Sequence, residues 1–267
     1  MPIFQLILIA IIQGVTEFLP VSSSGHLVLL PNLTGFEDQR LVIDVAVHVG
    51  TLFAVILYLW PDVRRALGGT VRLLRGRVDT QGAFLALCLV IATTPVVVFG
   101  LILHITGLAD LMRSVAVVGW TMLIFGLVLY WADRTGPVSR RDKDWTIRHA
   151  AIMGLWQAVA LIPGTSRSGI TITGARHLGY DRTSAVRLAM LMSIPTIAAS
   201  GVVLGVHVTI GDDTGLLRDV GLAALLAFGS ALLALSLMMR LSRSASFTPY
   251  VIYRVILGIA LLVYAYS

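Results

Sequence analysis

Glu17-Phe18-Leu19-Pro20-Val21-Ser22-Ser23-Ser24-Gly25-His26 is a short polar run inside apolar chain, with Ile3 to Ile12 before it and Leu27 to Leu30 after it. Glu17 is the one full charge among the first 36 residues. A matching run, Pro163-Gly164-Thr165-Ser166-Arg167-Ser168-Gly169, holds Arg167 as the only Lys, Arg, Asp or Glu between Arg148 and Arg176. A charge at membrane depth costs about 2.5–3.5 kcal/mol on insertion scales, so such a residue faces a cavity, a partner or a ligand. Pro20 with Gly25, and Pro163 with Gly164 and Gly169, are natural helix breaks.

Composition fixes the medium around these runs. The chain of 267 residues is 57% apolar and 13% charged, against about 25% charged in soluble domains. Its mean hydropathy is +0.89. Six stretches approach or exceed the ~18–20 residues that cross a bilayer: Leu41–Trp60, Phe84–Thr106, Ser114–Ala132, Leu188–Ile210, Val220–Met239 and Tyr250–Tyr266. The expected fold is all-α, a polytopic membrane helical bundle forming a single integral membrane domain over residues 1–267. The apolar N-terminus lacks a basic leader and carries the Glu17 motif itself, so no cleavable signal is expected.

The net charge of +6 comes from nineteen Arg and one Lys. Most of it lies in loops between spans, where positive residues set orientation; nucleic acid is not an expected partner. The basic segments Pro61–Gln81 and Asp133–His149 read as cytoplasmic loops. The acidic Gly211–Asp219 reads as external, and the C-terminus as external. Cys88 lies mid-span and reads as a small apolar filler.

Shifting the chain by 144 residues lays Gln13 on Gln157, Val15 on Val159, Ser22 on Ser166, Ser24 on Ser168 and Gly25 on Gly169. It also lays Gly35-Phe36-Glu37 on Gly179-Tyr180-Asp181. Three strong spans follow each motif. The charge rule puts Pro31–Arg40 outside and the segment bearing Arg176, Arg182 and Arg187 inside, so the copies are inverted. The expected halves are about 1–133 and 146–267, joined by a cytoplasmic loop at about 133–149, each a re-entrant hairpin plus three spans. Inverted repeats place their sites near the midplane, where broken helices meet. A single kinked span over Pro2–Leu30 is the simpler alternative.

In the first motif Ser22 and Ser23 precede His26 by four and three residues, so on a helical turn either hydroxyl reaches the imidazole. That pattern suits a nucleophile and its base. Gln13 and Glu17 share a helix face, and Gly25 leaves room for an anion at the backbone. In the second motif Arg167 between Ser166 and Ser168, past the Pro163-Gly164 break, suits a phosphate clamp. Backbone N–H groups of the following helix add to it, and Thr171 adds a hydroxyl. The plainer readings are small polar residues that satisfy freed backbone at a break, and a structural Glu17–Arg167 ion pair. Asp44 and His48, four apart, either stand behind Glu17 or His26 or satisfy each other. Trp60, Tyr130, Trp131, Tyr250 and Tyr264 sit near span ends as interfacial anchors.

The two motifs, their separation and the tail Phe247-Thr248-Pro249-Tyr250 through Arg254 resemble the bacterial undecaprenyl-diphosphate phosphatases, the bacitracin-resistance phosphatases, over essentially the whole chain. The resemblance implies an inner-membrane enzyme that hydrolyses undecaprenyl diphosphate to undecaprenyl phosphate and inorganic phosphate. That step recycles the carrier lipid for peptidoglycan synthesis and confers bacitracin resistance. A divalent cation, Mg²⁺ or Ca²⁺, and a site open to the periplasm are implied. By position, Glu17 would handle metal or proton, Ser23 would be the nucleophile, His26 its base, and Arg167 the phosphate clamp. Gln13, Ser22, Ser24, Gly25, Gly164, Ser166, Ser168 and Thr171 would line the substrate. Many relatives of this kind carry Glu where this chain has Gln13, and a neutral amide binds a hard cation more weakly.

A secondary transporter or lipid flippase with a midplane anion site would share the broken helices and lone charges. The type-2 phosphatidate phosphatases also use Ser-Gly-His. They want a later Arg and His closer together than the ten residues separating Arg167 from His177, and an early Lys where this chain's one Lys is Lys143. The sequence leaves a homodimer open.

Overall fold

The computed structural model describes residues 2–27, 41–108, 112, 114–205 and 214–267. The external placement of Pro31–Arg40, the Gly35-Phe36-Glu37 match and the Gly211–Asp213 part of the acidic loop lie outside the described residues. The helices are α1 (Ile3–Phe18), α2 (Leu41–Tyr58), α3 (Trp60–Leu74), α4 (Gln81–Thr106), α5 (Val115–Thr135), α6 (Ile147–Ala158), α7 (Arg167–His177), α8 (Arg182–Gly205), α9 (Thr214–Leu241) and α10 (Thr248–Tyr266). A further helical stretch occupies residues 23–27. No strand occurs among the described residues; Arg140 and Tyr180 form one isolated bridge.

Six helices, α2, α4, α5, α8, α9 and α10, are long and apolar enough to cross a membrane. The protein is a multi-pass helical membrane bundle. Its outer surface carries large apolar side chains such as Phe53, Val90, Leu101, Leu225, Leu233 and Ile256. A helix fits this medium because it satisfies every backbone group within itself. Where helix ends leave N–H groups free, hydroxyls cap them: Thr80 takes the N–H of Ala83, Ser114 that of Val117, and Thr146 that of His149.

Besides α9, which begins at Thr214 rather than Val220, two boundaries differ from the sequence reading. The basic segment after α2 is helical over Trp60–Leu74 rather than a loop. Pro61 sits in its first turn, where a missing N–H costs nothing. Its buried Val63, Ala66 and Gly69 turn inward; a Cβ on Gly69 would lie 2.0 Å from the Gly82 backbone of α4. Second, α8 begins at Arg182, not Leu188. The charged first turns remain helical because their guanidiniums are paired, Arg182 with Asp133 and Arg187 with Asp62 and Asp142.

The helices that precede the two motifs each lie against a long one, α1 on α9 and α6 on α4. Close approach is needed in both places. A Cβ on Gly14 would fall 2.0 Å from Ser230 Oγ, and one on Gly154 would fall 2.6 Å from the Ala92 carbonyl oxygen. Between them runs α8, whose Ala185 to Met192 stretch is almost wholly buried. At the end of the bundle carrying α3, Asp133 holds the pieces together. Its carboxylate accepts from Arg176 Nε at 3.2 Å, Arg182 Nε at 2.8 Å and the Phe247 N–H at 3.2 Å. This ties together the end of α5, the end of α7 and the starts of α8 and α10.

Candidate active site

Both motifs interrupt the helical path completely. After α1 ends at Phe18, Leu19 is extended, and Ser22 takes a left-handed φ of 71° before helix resumes at residue 23. After α6 a short 3-10 turn over Val159–Leu161 leads to Gly164 at φ 85° and Ser166 at φ 69°, and α7 starts at Arg167. Ser22 and Ser166 are the two non-glycine residues with positive φ among the described residues, and they match at the 144-residue shift. Each has a hydroxyl partner two residues on: Ser22 Oγ lies 3.1 Å from Ser24 Oγ, and Ser166 Oγ 3.2 Å from Ser168 Oγ. Ser166 also caps α7 by accepting from the Gly169 N–H. Such backbone costs about 1–3 kcal/mol per residue and clusters at functional sites.

The two breaks touch. The Gly164 N–H donates to Ser24 Oγ at 3.2 Å, and Ser168 Oγ donates to the Leu19 carbonyl at 2.9 Å. Across this junction Arg167 Nη2 forms an ion pair with Glu17 Oε1. The other carboxylate oxygen accepts from Gln13 Nε2 at 2.6 Å and from Ser23 Oγ at 3.3 Å. Arg167 also reaches the Ser193 carbonyl of α8 at 3.4 Å. A cavity of about 220 Å³ opens here. Glu17, Ser22, Ser23, Ser24, Ser166 and Arg167 form one side of it, and His48, Thr196 and Ser200 from α2 and α8 contribute to the other.

Not every residue of the motifs faces the cavity. His26 is turned away from the hydroxyls: its Nδ1 sits 2.7 Å from the Ser22 carbonyl oxygen, and its Nε2 meets the Tyr253 hydroxyl of α10, the two rings stacked. The expected hydroxyl–imidazole pair is therefore not made. Part of the reason is local, because the group a first-turn residue offers to a side chain four places on is its carbonyl; the rest is the distant Tyr253 hydroxyl. Gly25 serves packing rather than anion approach; a Cβ there would lie 2.8 Å from Met122 Sδ. Thr171 Oγ1 bends back to the Arg167 carbonyl at 2.8 Å. Ser168 is spent on Leu19 and Gly164 on Ser24. Gln13 is fully buried behind Glu17, with its Oε1 unpartnered.

Several residues enter that the sequence reading left open or passed over. His48 lines the cavity, and its Nε2 lies 3.2 Å from Gln13 Nε2. Ser193, Thr196 and Ser200 recur on one face of α8, a spacing visible in the chain. Arg254 of α10 is fully buried. Its guanidinium grips the carbonyls of Met122 at 3.2 Å, Gly164 at 3.2 Å and Thr165 at 2.9 Å, so it braces the second break from behind. Thr121 helps by donating to the Pro163 carbonyl.

This arrangement suits an oxyanion. Arg167 stands in the first turn of α7, where the helix N-terminus also favours negative charge. Ser23 presents a hydroxyl beside a carboxylate able to take its proton. The cation donor set is thin: no group of three or more His, Cys, Asp or Glu is gathered among the described residues. Among the described residues Glu17 is the one carboxylate lining the cavity, so these residues fit a divalent cation only as a partner to a ligand that brings its own anionic oxygens.

The chain is similar throughout its length to known proteins. It is 69% identical over 267 residues, the whole of both chains, to the undecaprenyl-diphosphatase of Dinoroseobacter shibae. It is 70% identical, again over the whole of both chains, to that of Roseobacter denitrificans. With undecaprenyl-diphosphatase 1 of Rhodospirillum rubrum it shares 43% identity over 274 residues, all of this chain and 96% of that one. The model of the family described as bacitracin resistance protein BacA matches residues 6–260, and the chain belongs to that family.

Proposed function

We propose that this membrane protein hydrolyses undecaprenyl diphosphate to undecaprenyl phosphate and inorganic phosphate, recycling the lipid carrier of cell-wall synthesis and giving resistance to bacitracin. One observation carries the reading: a carboxylate, a guanidinium and a serine hydroxyl bonded to that carboxylate meet across two helix breaks in a shared cavity. Full-length relatives bearing the name undecaprenyl-diphosphatase support it.

In the course proposed, the diphosphate draws Arg167 from Glu17 onto its terminal phosphoryl oxygens. Ser23 Oγ attacks the terminal phosphorus in line, and its proton passes to the Glu17 carboxylate that Arg167 has left. The bond from that phosphorus to the bridging oxygen breaks, and undecaprenyl phosphate leaves. Water then cleaves the phosphoserine, releasing inorganic phosphate and restoring the serine. Arg167 and the α7 N-terminus meet the charge that builds during transfer, the main source of rate in phosphoryl transfer. Glu17 would be the protein's ligand to a divalent cation, Mg²⁺ or Ca²⁺, which would supply further positive charge. His26 acts as a positioning residue, fixing the Ser22 turn through its carbonyl and anchoring it to Tyr253.

The proposed setting is the bacterial inner membrane, with the site open toward the periplasm and the C-terminus outside. Two inverted halves, about residues 1–133 and 146–267, underlie it. The paired left-handed serines at 22 and 166, and the crosswise packing of α1 on α9 and α6 on α4, support that reading.

Purified protein in detergent is expected to release phosphate from undecaprenyl diphosphate. No turnover, with vectorial uptake by vesicles, would instead favour a transporter. Ser23→Ala is expected to slow release by up to about 10⁶-fold, the loss seen when an attacking serine is removed, while His26→Ala loses less. A Ser23→Ala protein near wild-type activity beside an inactive His26→Ala protein would rule out serine attack.

A further inference from the structure

A lipid diphosphate has a tail as well as a head, and the head cavity mixes polar with apolar lining. Its few apolar lining residues include Val96 of α4 and Ile197 of α8. At that edge a second, apolar cavity of about 430 Å³ begins. Its walls come from the same two helices: Thr93, Thr94 and Val97 flank Val96 on α4, and Ile194 and Pro195 lie just before Thr196 and Ile197 on α8. From there it runs along α4 past Leu89 and Ala86 to Val63, Ala66 and Leu67 of α3. Both walls carry a mid-helix proline, Pro95 on α4 and Pro195 on α8, and such prolines kink helices.

Resting on the proposed function, we infer that this α4–α8 groove is the binding site for the isoprenyl tail of the substrate, and that Val96 and Ile197 form the passage from head to tail. Continuity decides the occupant. A bulk lipid would lie against any outward face of the bundle, but the residues lining this groove directly adjoin those of the head cavity along both α4 and α8. A diphosphate seated against Arg167 has an apolar exit there. The tail gains little free energy merely by leaving lipid, because lipid is as apolar as the groove. What the groove supplies is position: it fixes the angle at which the bridging oxygen meets Ser23.

The test uses the full-length protein in mixed micelles with two substrates, undecaprenyl diphosphate and the short farnesyl diphosphate. Thr94 and Val97 are exposed and line the groove, so Thr94→Trp and Val97→Trp fill it without displacing a packed side chain. Leu225→Trp, on an outward face of α9, is the control. A tail held out of the groove drags the head from its place, and misplacement of about 1 Å can cost ~10²-fold. The expected result is a fall in kcat/KM of about tenfold or more for the long substrate in both groove variants. Farnesyl diphosphate turnover and the control should stay near wild type. Equal loss on both substrates would mark simple damage to the fold and overturn the inference, as would no loss on either. Loss of long-substrate turnover in Leu233→Trp, which fills a separate apolar cavity along α9, with Thr94→Trp unaffected, would move the tail elsewhere. Wild-type protein that cleaves neither substrate would count against the proposed function itself, not against the groove alone.

Discussion

Arg167→Ala is expected to lower phosphate release from undecaprenyl diphosphate by about 10³-fold or more, the range an arginine supplies in phosphoryl transfer. In the resting site Arg167 is bound to Glu17 and its side chain is 18% exposed, so it is neither locked in the core nor free in solvent. A diphosphate competes for it with more negative charge and a geometry suited to two parallel hydrogen bonds. Arg167→Lys keeps the charge but loses the fork, and should recover only part of the rate. The loss should appear in kcat at least as strongly as in KM, because the contact strengthens as charge develops. Glu17→Gln should also be strongly impaired, since the serine then has no carboxylate beside it. If Arg167→Ala, folded and purified, keeps more than about a tenth of wild-type turnover, the assigned clamp is wrong.

Asp133→Ala is the substitution expected to hurt stability most. The carboxylate is 1% exposed and receives two guanidiniums and a backbone N–H from three other parts of the chain. Its removal strands Arg176, itself 2% exposed, with carbonyl partners but without its paired carboxylate. Breaking a buried pair on one side costs about 3–5 kcal/mol. By the usual conversion for a chain of this size, the unfolding midpoint in detergent should fall on the order of 10 °C. The site residues lie elsewhere, so protein that remains folded should retain activity at low temperature. A midpoint within about two degrees of wild type would show that the network is not what joins these helix ends.

The bundle itself was legible because spans announce themselves: an apolar run of the right length has no other stable arrangement in lipid. The breaks were legible from Pro and Gly, and the meeting of Glu17 with Arg167 from the isolation of each charge. Three things were not legible, for different reasons. The helix Trp60–Leu74 is amphipathic and basic, so loop composition masked a helix whose inner face packs on α4. The orientation of His26 depends on Tyr253, which is 227 residues away and is placed only by the packing of α10 on α5. Arg254 is as isolated in its span as Arg167 is in its motif, and the reasoning from lone charges applies to both equally. What separates them is geometry: Arg254 spends its donors on backbone carbonyls behind the break, while Arg167 faces the cavity. Charge isolation finds buried function and buried scaffolding alike.

The most direct test of convergence is chemical crosslinking between positions 17 and 167 in native membranes. Glu17→Cys and Arg167→Cys are combined with Cys88→Ala, which removes the one native thiol. A protease site is placed at the exposed Val138, between positions 17 and 167 in the chain. After treatment with a short bifunctional thiol reagent and cleavage, the two fragments should migrate as one species, and each single-cysteine protein should fall into two. Fragments that separate fully in the double variant, with both thiols shown to be reactive, would place the acid and the guanidinium apart and contradict the site described.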